Sequence, residues 1–239
     1  MRLTVIIPVY NQEKLVIRAL KSVPTINDIE TIVIDDKSTD RTYKNVLKYI
    51  HDNDRKNILL LQNEKNLGVG LTINKGLDNA NGEYIVLLGS DDYFYTDKLK
   101  EAYKELDGTD LIYFDLKVNS GDIWKVNKET KNIFVGSVKF MKKDFIKDTR
   151  NEDLRVFEDL YFYEELMKKN PTEKFLGYVV KHYNYPRKGS LINQAQRKWL
   201  KWLAKETKKE DKHYFIGSVL VIYKNIWVLQ VCLSERAGS

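Results

Sequence analysis

The first part of the chain alternates short β-branched runs with stretches of helical spacing, and this alternation leaves few architectures open. Leu3 to Val9, Ile29 to Ile34, Ile58 to Gln62 and Tyr84 to Leu88 are apolar runs of strand length. Between the first two, Leu15, Val16, Ala19, Leu20 and Val23 recur as on one helix face, and Pro24 stops the helix. Ser38-Thr39-Asp40 offers a cap for a second helix running to about His51. Leu71 to Ala80 forms a third helix, ended by Asn81-Gly82. An order β-α-β-α-β-α-β implies right-handed crossovers and a mainly parallel α/β sheet flanked by helices.

In such a sheet the carboxyl ends of the strands share one edge, where open α/β folds bind ligands. Three strands deliver chemistry there. The first ends on Pro8 and Tyr10, the second on Asp35 and Asp36, and the fourth breaks at Gly89 into Asp91 and Asp92. A carboxylate pair suits a hard divalent ion, which takes one or two carboxylates and completes its shell with water and phosphate oxygens. It equally suits the cap of a helix starting near Thr96, or a solvated turn. An aromatic face beside an acceptor and a metal site makes a nucleotide pocket. Tyr10 alone reads as a core or rim aromatic; in such a pocket its ring stacks on the base, Asp36 accepts from a ring N–H, and the metal holds the diphosphate. There is no G-x-G-x-x-G after the first strand and no G-x-x-x-x-G-K-[ST], which argues against the dinucleotide and P-loop solutions.

Composition narrows the class further. Of 239 residues 43% are hydrophobic, ample for a core, and the net charge of +6 fits an anionic substrate or membrane surface. Cys232 is the single cysteine, so neither an intrachain disulfide nor a cysteine zinc site is available. The N-terminus enters a strand directly, without an apolar leader, and the expected compartment is the cytoplasm.

Five segments resemble family-2 glycosyltransferases of the GT-A fold. They are Val-Ile-Ile-Pro-Val-Tyr-Asn (5–11), Ile-Val-Ile-Asp-Asp-Lys-Ser-Thr-Asp (32–40), Asn-Leu-Gly (66–68), Asn-Lys-Gly-Leu (74–77) and Gly-Glu-Tyr-Ile-Val-Leu-Leu-Gly-Ser-Asp-Asp (82–92). The resemblance implies an inverting transfer of a sugar from a nucleotide diphosphate, here a UDP-sugar, to an acceptor hydroxyl. It implies that Pro8, Tyr10, Asp36 and Asn66 belong to the nucleotide site and that Asp91 lies by the ribose and metal. Asp92 becomes the direct ligand of Mn2+ or Mg2+. Ser90 stands where the family often has a further Asp. Ile73 stands where many members have Arg, which transfers a phosphate contact to Lys75. The resemblance also implies a GT-A catalytic domain over 1–192, with a nucleotide-binding half (1–95) and an acceptor-side half (96–192). A helical C-terminal extension occupies 193–239.

The second half carries the remaining expectations. A helix from Lys98 to Leu106 and a strand from Asp110 to Val118 are followed by a hairpin or loop over Ile123 to Val135 and a short helix over Val138 to Phe145. Leu160, Phe162, Tyr163 and Leu166 predict a helix with Glu158 and Asp159 in its first turn, where its dipole favours carboxylates. By resemblance Asp159 is the general base and Glu158 orients it or the acceptor. Glu152-Asp153 repeats the dipeptide without the helical pattern. Phe175 to Tyr185 reads as an edge strand carrying His182, a possible third metal ligand by analogy with some GT-A enzymes. Arg187 and Lys188 follow, placed to cover the diphosphate. In the extension, Trp199 and Trp202 lie among lysines, and Tyr214 to Leu233 is mostly apolar but interrupted by Lys224. That pattern suits a helix folded on the catalytic domain, a dimer contact or peripheral contact with the inner membrane face. The residues leave two rivals. A sugar nucleotidyltransferase would want a Gly-rich basic loop where Asn11-Gln12-Glu13 stands, and a non-catalytic carbohydrate- or nucleotide-binding module would keep the fold without the chemistry.

Overall fold

The computed structural model describes residues 1–132, 136–154 and 158–185. The expected extension 193–239, with Arg187 and Lys188, lies outside them. Among the described residues, no helix is long and apolar enough to cross a membrane.

The chain opens with strand β1 (Leu3–Val9), helix α1 (Val16–Ser22), β2 (Ile29–Asp35), α2 (Thr42–Asp52), β3 (Ile58–Gln62), α3 (Val69–Asn79) and β4 (Tyr84–Leu87). The two-residue β5 (Tyr93–Phe94) and α4 (Thr96–Lys104) follow, then β6 (Leu111–Val118), β7 (Ile123–Trp124), β8 (Lys139–Lys142), the one-turn α5 (Lys143–Ile146), α6 (Glu158–Lys168) and β9 (Glu173–Tyr183). The main sheet runs β3-β2-β1-β4-β8-β6-β9-β5, with β7 paired to β6. Its first half is the expected parallel array. Leu3 lies opposite Ile29 on one side and Tyr84 on the other, so the carboxyl ends of β1, β2 and β4 share one edge. These strands are buried on both faces: Val5, Ile6, Ile7, Ile32, Val33, Ile34 and Val86 are all fully buried, as a sheet covered by helices requires. Helix α3 sits very close to it. A Cβ on Gly76 would fall 2.6 Å from Ile6 Cγ2 and 3.0 Å from Ile34 Cδ1.

The second half departs from expectation at β8. The predicted helix over Val138 to Phe145 is instead a strand, antiparallel to both β4 and β6, with only Lys143–Ile146 helical. Phe140 pairs with Val86 on one side and Ile112 on the other, fully buried. Four residues are too few to show a period, and the flanking lysines suggested a solvated face. The sheet is therefore parallel in its first half and mixed beyond β4. β9 runs parallel to β6, and its end is flanked on the far side by β5, with Tyr93 opposite His182, so it is not a bare edge. The expected hairpin reduces to β7, whose Trp124 lies opposite Leu116.

Candidate active site

The loops at the carboxyl edge of the sheet are tied together by side chains from the strand ends. Asn11, with φ +50°, accepts from the Thr39 N–H at 2.8 Å and donates its own N–H to Ser38 Oγ at 2.9 Å. This ties the loop after β1 to the loop after β2. Asp36 is a latch. Its Oδ1 accepts from Leu67 N–H at 2.7 Å and from Asn63 Nδ2 at 2.8 Å, and its Oδ2 accepts from Gly68 N–H at 2.8 Å. Asn66 donates to the Asp36 carbonyl at 3.3 Å. Lys75 donates to the Gln62 carbonyl at 2.7 Å and to Asn63 Oδ1 at 3.2 Å, so it braces the end of β3. Tyr10 is 44% exposed, leaving its ring on the rim of this edge, and Pro8 is half-buried beside it in the chain. Asp35, fully buried, accepts from Gln62 Nε2 at 2.8 Å and Ser38 N–H at 3.1 Å through Oδ2. Its Oδ1 finds no hydrogen-bond partner among the described residues.

The turn after β4 folds both of its carboxylates over Gly89. A Cβ there would meet Asp92 Oδ2 at 2.9 Å and Asp91 Oδ1 at 3.2 Å, so only glycine admits this arrangement without a shift. Arg18, reaching across from α1, donates to the Asp91 carbonyl and lies 4.9 Å over the Tyr93 ring. Asp92 is 2% exposed. Its Oδ1 accepts from the Asn184 N–H at 2.9 Å, and its Oδ2 faces the Lys181 ammonium at 3.2 Å. Burial pushes the Asp92 carboxyl up and Asp91 adds to this, while Lys181 opposes it. Lys181, 1% exposed, also donates to Ser137 Oγ.

These residues do not fit direct coordination of a divalent ion by Asp92, because both carboxylate oxygens already have protein partners and one partner is a cation. His182 does not supply the missing ligand. It stacks on Tyr93 at 4.6 Å, and its ring nitrogens face Asn119 Oδ1 at 2.9 Å and Tyr95 OH at 3.4 Å. No cluster of three or more His, Cys, Asp or Glu side chains suited to a metal occurs among the described residues.

The second acidic pair opens α6, as its apolar spacing predicts. A Cβ on Gly136 would fall 3.2 Å from Asp159 Oδ2, and one on Gly70, in the first turn of α3, 3.2 Å from Glu158 Cβ. Asp159 is exposed as a residue, yet desolvation of its carboxyl by the surrounding protein raises it, with Lys139 opposing. Burial and the Asp159 charge lift Glu158 to about 7. Lys139, 3% exposed on β8, is pushed down to about 7 by burial, against the attraction of Asp159. Its ammonium lies 5.1 Å from the Tyr163 ring centroid and donates to the Gly136 carbonyl at 3.0 Å.

The two acidic centres are joined through Gly136-Ser137-Val138-Lys139. Ser137 accepts from the lysine paired with Asp92, while Gly136 and Lys139 border Asp159. Sequence reasoning missed Lys139, Lys181, Ser137 and Arg18. The available signal was an isolated lysine inside an apolar run, Val-Lys-Phe-Met in β8 and Val-Val-Lys in β9.

Comparison with known proteins supplies a lineage. The family model described as Glycosyl transferase family 2 matches residues 4–176. Glycosyltransferase GlyA of Streptococcus pneumoniae is 28% identical over 167 residues, covering 69% of this chain and 22% of its own length. The poly(ribitol-phosphate) beta-N-acetylglucosaminyltransferase TarS of Staphylococcus aureus is 34% identical over 128 residues, covering 51% of this chain and 22% of TarS. The chain thus spans little more than a fifth of the length of either relative. The crystal structure of S. aureus TarS in complex with UDP matches with a TM-score of 0.67 at 26% identity, over 77% of this chain and 60% of that one. The mannosyltransferase PcManGT from Pyrobaculum calidifontis, in complex with GDP-Man and Mn2+, shares the fold, with a TM-score of 0.67 at 19% identity over 93% of this chain and 68% of that one.

Proposed function

The chain belongs to glycosyl transferase family 2, and on that premise we propose that it moves a hexosyl or N-acetylhexosaminyl group from a UDP-sugar to the hydroxyl of a carbohydrate or glycoconjugate acceptor. The observation that carries this reading is the linkage of the two acidic centres. Asp92, Lys181 and Ser137 lead directly into the Gly136–Lys139 segment that borders Asp159. A donor held at the β4–β5 turn and an acceptor held over the start of α6 therefore react across one short stretch of chain.

In this reading the uracil lies against Tyr10 and Pro8, within reach of the second strand end. Asp36, 4% exposed, accepts from the Gly68 N–H through Oδ2, and a further hydrogen bond there from a ring N–H requires the base to reach in past the loop that Asp36 latches. UDP in the TarS structure supports the choice of nucleotide. Asp91 lies by the ribose. Asp159 takes the proton of the acceptor hydroxyl as that oxygen attacks the anomeric carbon from the side opposite the leaving nucleotide. Its raised carboxyl suits the task, since a more basic carboxylate holds the proton better. Glu158 orients the acceptor from the same helical turn. The expected Mn2+ or Mg2+ ligated by Asp92 has no support from this geometry, and no step is assigned to it.

Asp159→Asn keeps the side chain's shape and removes its basicity. UDP affinity, measured by calorimetry, stays within about twofold of wild type, while the transfer rate falls about 10²–10⁴-fold. Full turnover in Asp159→Asn would exclude it as the base.

A further inference from the structure

We propose that Lys181 is the resident cation of the donor site: it neutralises Asp92 from within the protein and thereby sets how far nucleotide binding depends on a divalent metal. The inference rests on the β4–β5 turn being the donor site.

The arrangement is built rather than incidental. Lys181 and Asp92 are 1% and 2% exposed, and both carboxylate oxygens are used, one by the Lys181 ammonium at 3.2 Å and the other by the Asn184 N–H at 2.9 Å. The ammonium is held from a second side by Ser137 Oγ and lies 5.7 Å from the Tyr183 ring centroid. Its backbone is fixed as well, because Lys181 lies opposite Leu116 of β6 and Phe94 of β5. A buried ammonium cannot leave its carboxylate without another partner, and a buried carboxylate left alone is strongly destabilised. A divalent ion seeking Asp92 Oδ2 would have to share that oxygen with a positive charge already in place. The other potential nitrogen donor, His182, has its ring turned to Asn119 and Tyr95. Charge balance at Asp92 is therefore supplied by an amino-acid side chain.

The test titrates Mn2+ without nucleotide into wild type, Lys181→Met, Asp92→Asn and the Lys181→Met/Asp92→Asn double variant, reading free Mn2+ by electron paramagnetic resonance. Lys181→Met is expected to bind Mn2+ at least about tenfold more tightly than wild type, and the double variant to lose that gain. Equal Mn2+ affinity of Lys181→Met and wild type would overturn the proposal. If Lys181→Met does not fold by circular dichroism, the remaining pair decides. Equal Mn2+ affinity of wild type and Asp92→Asn supports the proposal, and about tenfold tighter binding by wild type overturns it. UDP calorimetry on wild type in EDTA and in Mn2+ adds a second arm. Affinities within about threefold of each other support Lys181 as the neutralising charge, and UDP binding only with Mn2+ counts against it. UDP binding in neither condition would refute the UDP-sugar reading, while the Mn2+ titrations still decide the role of Lys181.

Discussion

At the scale of single residues the site sets two of its aspartates against buried lysines from strands. Lys181 on β9 faces Asp92, and Lys139 on β8 faces Asp159. The two pairs differ in kind. Asp92 and Lys181 are both shut away from water, so their charges are committed to each other. Asp159 is exposed as a residue and its carboxyl is raised by desolvation, with Lys139 holding it down. Removing that cation lets the carboxyl rise further. Since a general base works only when deprotonated, Lys139→Met moves the acid limb of the kcat/KM profile to higher pH. A pH–rate series on the two proteins checks this, and an unmoved limb would mean that Lys139 acts on structure alone. The places of the two carboxylate pairs were visible in the sequence, because an acidic pair at a strand end or a helix start has a positional meaning. The lysines were not, because a lysine in a strand ordinarily marks a solvated face, and only the pairing of its neighbours on both sides shows that it points inward.

Among the elements, the parallel half was legible nearly to the residue. Its inner strands β1, β2 and β4 are buried on both faces and so are rich in Val, Ile and Leu, and its helices carry their apolar stripe at regular spacing. The second half was less so. β8 has four residues and two lysines, and its identity depends on β4 and β6, which are distant in sequence. Local pattern cannot report a strand that exists because a slot is open for it. The Glu158–Asp159 helix was read correctly over the earlier Glu152–Asp153 because its apolar positions recur at helical spacing, an independent signal. Close packing at the element joints gives a prediction of its own. A Cβ on Gly82 would lie 2.5 Å from the Thr4 nitrogen and 2.7 Å from the Leu3 carbonyl carbon, both backbone atoms that cannot rotate away. The Cβ of Gly76→Ala meets side chains instead, which can adjust. Gly76→Ala is expected to cost about 1–3 kcal/mol in urea unfolding, and Gly82→Ala more than that, since backbone must move. The reverse order would show that the β1–β4 joint is looser than these contacts imply.

For the whole molecule, the buried ionisable groups shape stability against pH. Glu158 ionises at about 7 in the fold against an ordinary 4.5, so folding takes up a proton between those values and stability falls as pH rises through that window. Lys139 ionises at about 7 against an ordinary 10.5, so folding releases a proton there and stability recovers as pH rises from about 7. Together they place a dip near neutral pH, and Tm measured from pH 4.5 to 10 should be flatter in Glu158→Gln/Lys139→Met than in wild type. A dip of unchanged depth in the double variant would assign it to other groups. The insertion of β8 between β4 and β6 has a further consequence for how the chain is made. Residues up to Leu87 already hold all four strands of the parallel half, although the β1–β4 pairing joins Leu3 to Tyr84 and so has a long loop to close. Until the ribosome has delivered Lys139–Lys142, the flank of β4 offers unpaired backbone groups, the kind of template on which nascent chains join one another. The same strand carries Lys139, so the segment that closes that flank also sets in place the charge that Asp159, made after it, will meet. One short strand thus completes both the sheet and the charge balance of the second acidic centre.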